Sequence, residues 1–283
     1  MATTPESHDH ASAERLSSRV HLRQAAAFTE RSLREVGNSW TMLLTIVALA
    51  PGMQLLYTSQ GGGMSPATIA SWAIGTGVFG AIYVCLYVFG YQLSSDLEDR
   101  RYAAYRSMPI SPVAELSGRM LAGLALAATT FALTLGAGAA TGGSFGLRGL
   151  ESVPVVVLAF ALTCAVWMIV AVPFVVYAKN ERVAEYAVPL IAIAGYILTG
   201  FNGVVAEMSF VDGDALNYLP NTLPTRVLVY HLVPDADWTA IGAAPPAAPA
   251  GPEYVALLVI YAAVALAIGA VLFNRVLYER GWW

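Results

Sequence analysis

"SWAIGTGVFGAIYVCLYVFGYQL", Ser71–Leu93, is a run without a single charged side chain. Roughly 20 residues at about 1.5 Å rise cross a hydrocarbon core about 30 Å thick, so this stretch reads as a membrane-spanning helix. It lies inside sixty residues, Val36–Ser95, that hold no Asp, Glu, Lys or Arg. The 283-residue chain agrees throughout: 57% of it is hydrophobic, 12% is charged and the mean hydropathy is +0.60. A soluble domain carries roughly 25% charged residues. The expected fold class is an all-α membrane protein.

Reading outward from this stretch gives six spans, at about 40–57, 70–93, 113–139, 153–178, 186–206 and 254–274. The basic residues orient them. Arg15, Arg19, Arg23, Arg31 and Arg34 precede the first span, and Arg100, Arg101, Arg106 and Arg119 follow the second. Lys179 and Arg182 follow the fourth, and Arg275 and Arg280 the sixth, so thirteen of fifteen basic residues fall on one side. Only Arg148 and Arg226 fall on the other. The positive-inside rule then puts both termini in the cytoplasm of a multi-pass protein of the cell membrane. The polar N-terminus has no apolar core followed by a cleavage site, so a cleaved signal peptide is not expected. Residues 1–39 read as a cytosolic tail and an amphipathic interfacial helix, and 275–283 as a cytosolic tail.

On the outer side, residues 207–253 hold six carboxylates against one arginine. They end in "GAAPPAAPAGP", an extended linker by composition. Between them an apolar run bounded by Pro224 and Pro234 is too short to span, and reads as a re-entrant or interfacial segment. The net charge of -4 and the lack of a basic, aromatic-interleaved patch argue against a nucleic-acid partner.

The cytosolic loop "DLEDRRYAAYRSMPISP", Asp96–Pro112, interrupts the apolar pattern. Ser95 and Glu98 have capping-box spacing, which predicts a new helix starting there. Asp96, Glu98 and Asp99 then fall in its first turn and Arg106 in its last, as the helix dipole favours. Pro109 ends it, and Ser111-Pro112 opens the third span. From the residues alone two readings stand: a solvated connector, or a docking helix presenting Tyr102, Tyr105 and Met108.

Other constellations are weak. Ala178 before the only lysine rules out a phosphate-binding G-K-[ST], and no nucleophile–base–acid set is recognisable. His8, Asp9 and His10 read as solvated tail residues, so no metal is expected. The spans hold no pair of intramembrane carboxylates or histidines of the kind that proton-coupled carriers use. Gln54, Gln92 and Asn202 are polar groups at span level. Ordinary interhelical hydrogen bonding is their bland role, and a pathway or gate the sharper one. Gly200 and Gly203 would let the helix unwind around Asn202.

Several of these stretches resemble the permeases of ABC-2 type transporters. Asp96-x-Glu98 followed by "MPIS" is similar to that family's loop after the second span. "ERSLREVGNSWTMLLTIVALAP", Glu30–Pro51, is similar to its interfacial helix and first span. "ILTGFNG" and "LPNTLPTRVLVYHL" are similar to the end of its fifth span and its outer segment. Arg100-Arg101 stand where the family usually has Gly-Thr.

The resemblance implies a six-span subunit without enzymatic activity that pairs with a second copy of itself and exports a substrate. ATP and Mg would be held by a separate ATPase subunit. Docking to it would involve Asp96, Glu98, Arg101, Tyr102, Tyr105 and Arg106, with Arg31, Leu33 and Arg34 on the interfacial helix. The competing expectations are a non-transporting membrane scaffold and, behind it, an ion-coupled carrier.

Overall fold

The computed structural model describes residues 6–60, 62–178, 182 and 186–279. Its helices are α1 (Glu6–Gly37), α2 (Trp40–Gln60), α3 (Pro66–Glu98), α4 (Arg101–Ser107) and α5 (Pro112–Ala140). They continue as α6 (Ser152–Ala178), α7 (Val188–Leu198), the single turn α8 (Gly200–Gly203), α9 (Thr222–Leu232) and α10 (Pro252–Leu272). The last of these runs on as a π-helical segment, Phe273–Glu279. The fold is all-α, with no strand among the described residues.

Five of these helices, α2, α3, α5, α6 and α10, are long and apolar enough to cross a membrane. The chain is thus a multi-pass membrane protein by length and composition. The stretch read as a fifth span, 186–206, is different. It is helical over Val188–Leu198 and then breaks, because Gly200, Phe201, Asn202 and Gly203 all take positive φ of 57–77°. Of the two basic residues read as following the fourth span, Lys179 lies outside the described residues.

α3 is the centre of the bundle: 94% of its apolar window is buried, against 17% for α10. A helix apolar all round belongs in a core. Small residues let its neighbours close in, and a Cβ on Gly80 would lie 2.5 Å from Ala50 of α2 and 2.8 Å from Thr130 of α5. Thr130 Oγ1 donates to Ile46 O at 3.0 Å, tying α5 to α2. The outer helices turn Leu44, Val47, Leu133, Val157, Ile260 and Val264 outward, as a lipid-facing surface requires.

Helix starts follow the sequence signals at two places. Ser65 caps α3, accepting from Thr68 N with Pro66 at the first position, and Ser111 caps α5 in the same way ahead of Pro112. A third signal is overridden. No new helix begins at Ser95; α3 runs on through it, with Asp99 N donating to Ser95 O at 2.9 Å, and ends at Glu98. The break comes at Arg100, which is left-handed at φ 56°. Continuing α3 buries Leu97 and places Asp96 where three arginines reach it, which the capping box could not offer.

The N-terminal helix is a docked element. Gly118 of α5 admits its backbone, since a Cβ there would lie 2.4 Å from Ala25 O. Thr29 Oγ1 donates to Gly118 O at 3.0 Å and Gln92 Nε2 to Ser32 O at 2.9 Å. Gln24 donates to Pro109 O and accepts from Ser111 N, pairing the backbone that Pro109 and Pro112 leave outside any helix.

Candidate functional site

At the α4 end of the bundle, two buried carboxylates organise five elements. Asp96, in the last turn of α3, accepts from Arg119 of α5, from Arg31 of α1 at 2.5 Å and from Arg101 of α4 at 2.8 Å. Tyr105 Oη donates to the same carboxylate at 3.2 Å and in turn accepts from Arg31. Glu115, one turn before Arg119 on α5, accepts from Arg119 Nη2 at 2.8 Å and from Tyr102 Oη at 2.7 Å. It also accepts from Tyr278 in the segment that continues α10. Glu35 and Asp99 complete the outer rim, bonding Arg31 at 2.9 Å and Arg101 at 2.9 Å.

Three guanidinium groups thus face four carboxylates. Asp96, Glu115, Arg119 and Tyr102 are at most 3% exposed. Charges so enclosed persist only when every one is paired, because burying an unpaired ion costs several kcal/mol. Around Arg31 burial opposes the charged form, but Asp96, Tyr105 and Glu35 outweigh it and its pKa is raised. Burial pushes the hydroxyls of Tyr102 and Tyr105 up, so both stay protonated donors at neutral pH. The result is a cross-brace in which α4 cannot shift without pulling on α1, α3 and α5.

The opposite end is organised by amides and one buried cation. Where α7 breaks, Asn221 Nδ2 reaches Thr199 Oγ1 at 2.9 Å, Asn202 Oδ1 at 3.1 Å and Gly195 O at 3.2 Å. Asn202 Nδ2 reaches Gly75 O on α3 at 3.4 Å. Glycine and asparagine are the residues that enter the left-handed region at least cost. Gly200 has no alternative, since a Cβ there would stand 2.1 Å from Val205 O.

Arg226 of α9 is fully buried without a carboxylate partner among the described residues. Its guanidinium donates to Asn217 Oδ1 at 2.6 Å, Gly203 O at 2.8 Å, Ala243 O at 2.7 Å and Pro246 O at 2.7 Å. It lies 4.8 Å from the Trp238 ring. Burial drives its pKa down to about 10, so it remains cationic at neutral pH. The proline-rich stretch read as an extended linker forms no regular structure, yet Arg226 ties it down.

Between the two ends a file of aromatic rings follows α3. Tyr57 of α2 stacks on Phe201 at 5.6 Å, Phe201 on Tyr196 at 5.0 Å, and Tyr196 meets Phe79 at 4.6 Å. The file continues down one face of α3 through Tyr83, Tyr87 and Tyr91, with centroids 6.0, 5.9 and 6.4 Å apart. Trp72 joins its upper end, edge-on to Tyr57 and Phe201.

The residues singled out from the sequence scatter among these features. Asp96, Arg101, Tyr102, Tyr105 and Arg31 meet in the brace, with Asp96 and Tyr102 sealed inside it. Glu98 is exposed at the end of α3. Arg34 pairs with Glu30 at 2.5 Å on the outer face of α1, next to the part-exposed Leu33. Arg106 keeps one buried guanidinium nitrogen, Nη1, without a hydrogen-bond partner. Gln92 holds α1, whereas Gln54 and Asn202 lie toward the opposite end, so the three do not form one site. Sequence reasoning missed Glu115, Arg119, Tyr278, Asn221 and Arg226. The i,i+4 spacing of Glu115 and Arg119 was a usable signal; the other three carried none. No group of three or more His, Cys, Asp or Glu among the described residues could hold a metal ion.

Searched with this sequence, neither the protein-family models nor the curated proteins yield a match.

Proposed function

We propose that the chain is the membrane subunit of an ATP-binding cassette transporter of the ABC-2 type. In this reading it is a homodimer with six passes per copy, 186–206 being the shortened fifth. Both termini are cytoplasmic, and a separate ATPase subunit holds ATP and Mg and drives export. The observation that carries the reading is the brace. α4 is a seven-residue helix outside the spans, and ion pairs and tyrosine hydrogen bonds lock it to the central helix α3. A partner that displaced α4 would move α3, α1 and α5 as one body, which is what coupling to ATP hydrolysis needs.

Ala103, Ala104, Ser107 and Met108 are the exposed positions of α4 and its end, and offer the docking face. The inward tyrosines transmit the load. Purification from the native membrane should recover a protein with a G-x-x-x-x-G-K-[ST] loop. In that complex Ala104→Asp with Met108→Asp should abolish coupled ATP hydrolysis while leaving the chain's melting temperature unchanged. Recovery of no ATPase, or hydrolysis indifferent to both substitutions, would remove the reading.

A further inference from the structure

The ring file along α3 has a property that packing alone does not require. Phe79, Tyr83, Tyr87 and Tyr91 recur every four residues, so they climb one face of the helix in steps of about 6 Å. α3 is otherwise buried on nearly every side, yet Tyr83 and Tyr91 are part-exposed, as are Tyr57, Trp72 and Phe201 at the upper end. Rings at such spacings leave faces that a further ring can meet in an offset or edge-on arrangement.

A second, independent observation lies at the upper end of the same file. Gln54 is fully buried on α2 one turn from Tyr57, and its Oε1 has no hydrogen-bond partner; nor has the buried Nε1 of Trp72. One acceptor and one donor therefore stand unsatisfied around the ring contacts of Tyr57. Buried polar atoms of this kind are few in native proteins and call for a partner. Acyl chains offer neither donor nor acceptor.

We infer that the file is a binding track for a planar aromatic cargo carrying a hydroxyl or similar polar group. The inference deepens the transport reading and rests on it. At the upper end the cargo's ring meets Tyr57 and Phe201 while its polar group meets Gln54 Oε1 and Trp72 Nε1. Successive rings of similar character give a series of similar, weak sites, so a guest can step along them without being trapped. In this conformation the track is closed at its middle, where Phe79 and Tyr196 are each 3% exposed and in contact. Passage requires α7 to part from α3, and the left-handed turn at the end of α7 is where it can pivot.

The test uses the full chain alone in lipid nanodiscs, with 2-naphthol as probe and empty nanodiscs subtracted. Saturable binding is expected. Tyr57→Leu should weaken it a few-fold, for one lost ring contact, while Tyr57→Phe, which keeps the ring, should not. Gln54→Leu should weaken 2-naphthol and leave naphthalene unchanged, a split that a merely structural glutamine would not produce. The inference is overturned if binding does not saturate, if Tyr57→Leu binds as well as the parent, or if dodecanol displaces the probe equally. Cross-linking of Tyr83→Cys between two copies would overturn it too, by making this face a contact between copies. Since no ATPase is present, a failed binding test leaves the coupling reading intact, and failure to recover an ATPase leaves the binding result standing.

Discussion

Arg119 on α5 donates to Asp96 on α3, and neither side chain is more than 2% exposed. The pair joins the two most intimately packed helices at the level where α4 attaches. Asp96→Asn keeps the shape but removes the charge that faces Arg31, Arg101 and Arg119. Breaking a buried pair from one side costs about 3–5 kcal/mol. The expected outcome is a large fall in melting temperature in detergent, partly restored by Arg119→Met in the same chain. An Asp96→Asn protein as stable as the parent would show that the brace is not held by charge.

Gly118 sets how closely α1 approaches α5. A side chain there meets Ala25 O and Phe28 Cβ, both backbone or near-backbone atoms that cannot swing away. Gly118→Val should lift α1 off the bundle while the spans stay folded. Spin labels on Leu22 and Val113 would report this as a lengthened and broadened distance distribution, whereas an unchanged distribution would mean that α1 docks without this contact.

Arg226→Met should loosen residues 203–247 as a unit. The substitution strips donors from Asn217, Gly203, Ala243 and Pro246, and each buried acceptor left unpaired costs about 1–3 kcal/mol. Arg226→Lys keeps the charge but not the forked geometry, and should rescue little. Hydrogen exchange would show the loss as faster exchange in this segment with α3 still protected.

His231 makes the same region sensitive to acid. Its Nδ1 lies 2.9 Å from Ser152 Oγ, and burial followed by nearby Arg148 lowers its pKa. The unfolded segment, with the ordinary value of about 6.5, then binds a proton before the folded one does. Stability contributed here is full above about pH 6.5 and declines as pH falls through that value toward the depressed folded pKa. The protection factors of α9 amides, with the intrinsic pH dependence of exchange divided out, should fall as pH drops from 7 to 5.5 in the parent, and His231→Gln should flatten the profile.

The membrane class and the start of α5 were legible because they depend on local quantities. Uncharged length gave α2, α3, α5, α6 and α10, and the pair Ser111-Pro112 gave the start of α5; Ser65-Pro66 starts α3 four residues ahead of the span read at about 70–93. One local signal misled. The capping-box spacing of Ser95 and Glu98 is real, but the chain gains more by extending α3 and bringing Asp96 to three arginines than by starting a helix. The unwinding around Asn202 that Gly200 and Gly203 allow is present in the run 186–206, and Asn221, nineteen residues after Asn202, satisfies the polar groups that the break exposes.

By itself, then, the sequence determined that this chain crosses a membrane several times, where its arginines gather, and that a short charged helix follows Ser71–Leu93. Only the tertiary structure decided which charges meet. Arg31, Asp96, Arg101, Glu115, Arg119 and Tyr278 lie up to 247 positions apart, and beyond the i,i+4 pair Glu115–Arg119 no periodicity relates them. They converge because α3 is apolar enough to be enclosed by its neighbours, and a carboxylate at the end of an enclosed helix must find its counter-ions on whatever surrounds it.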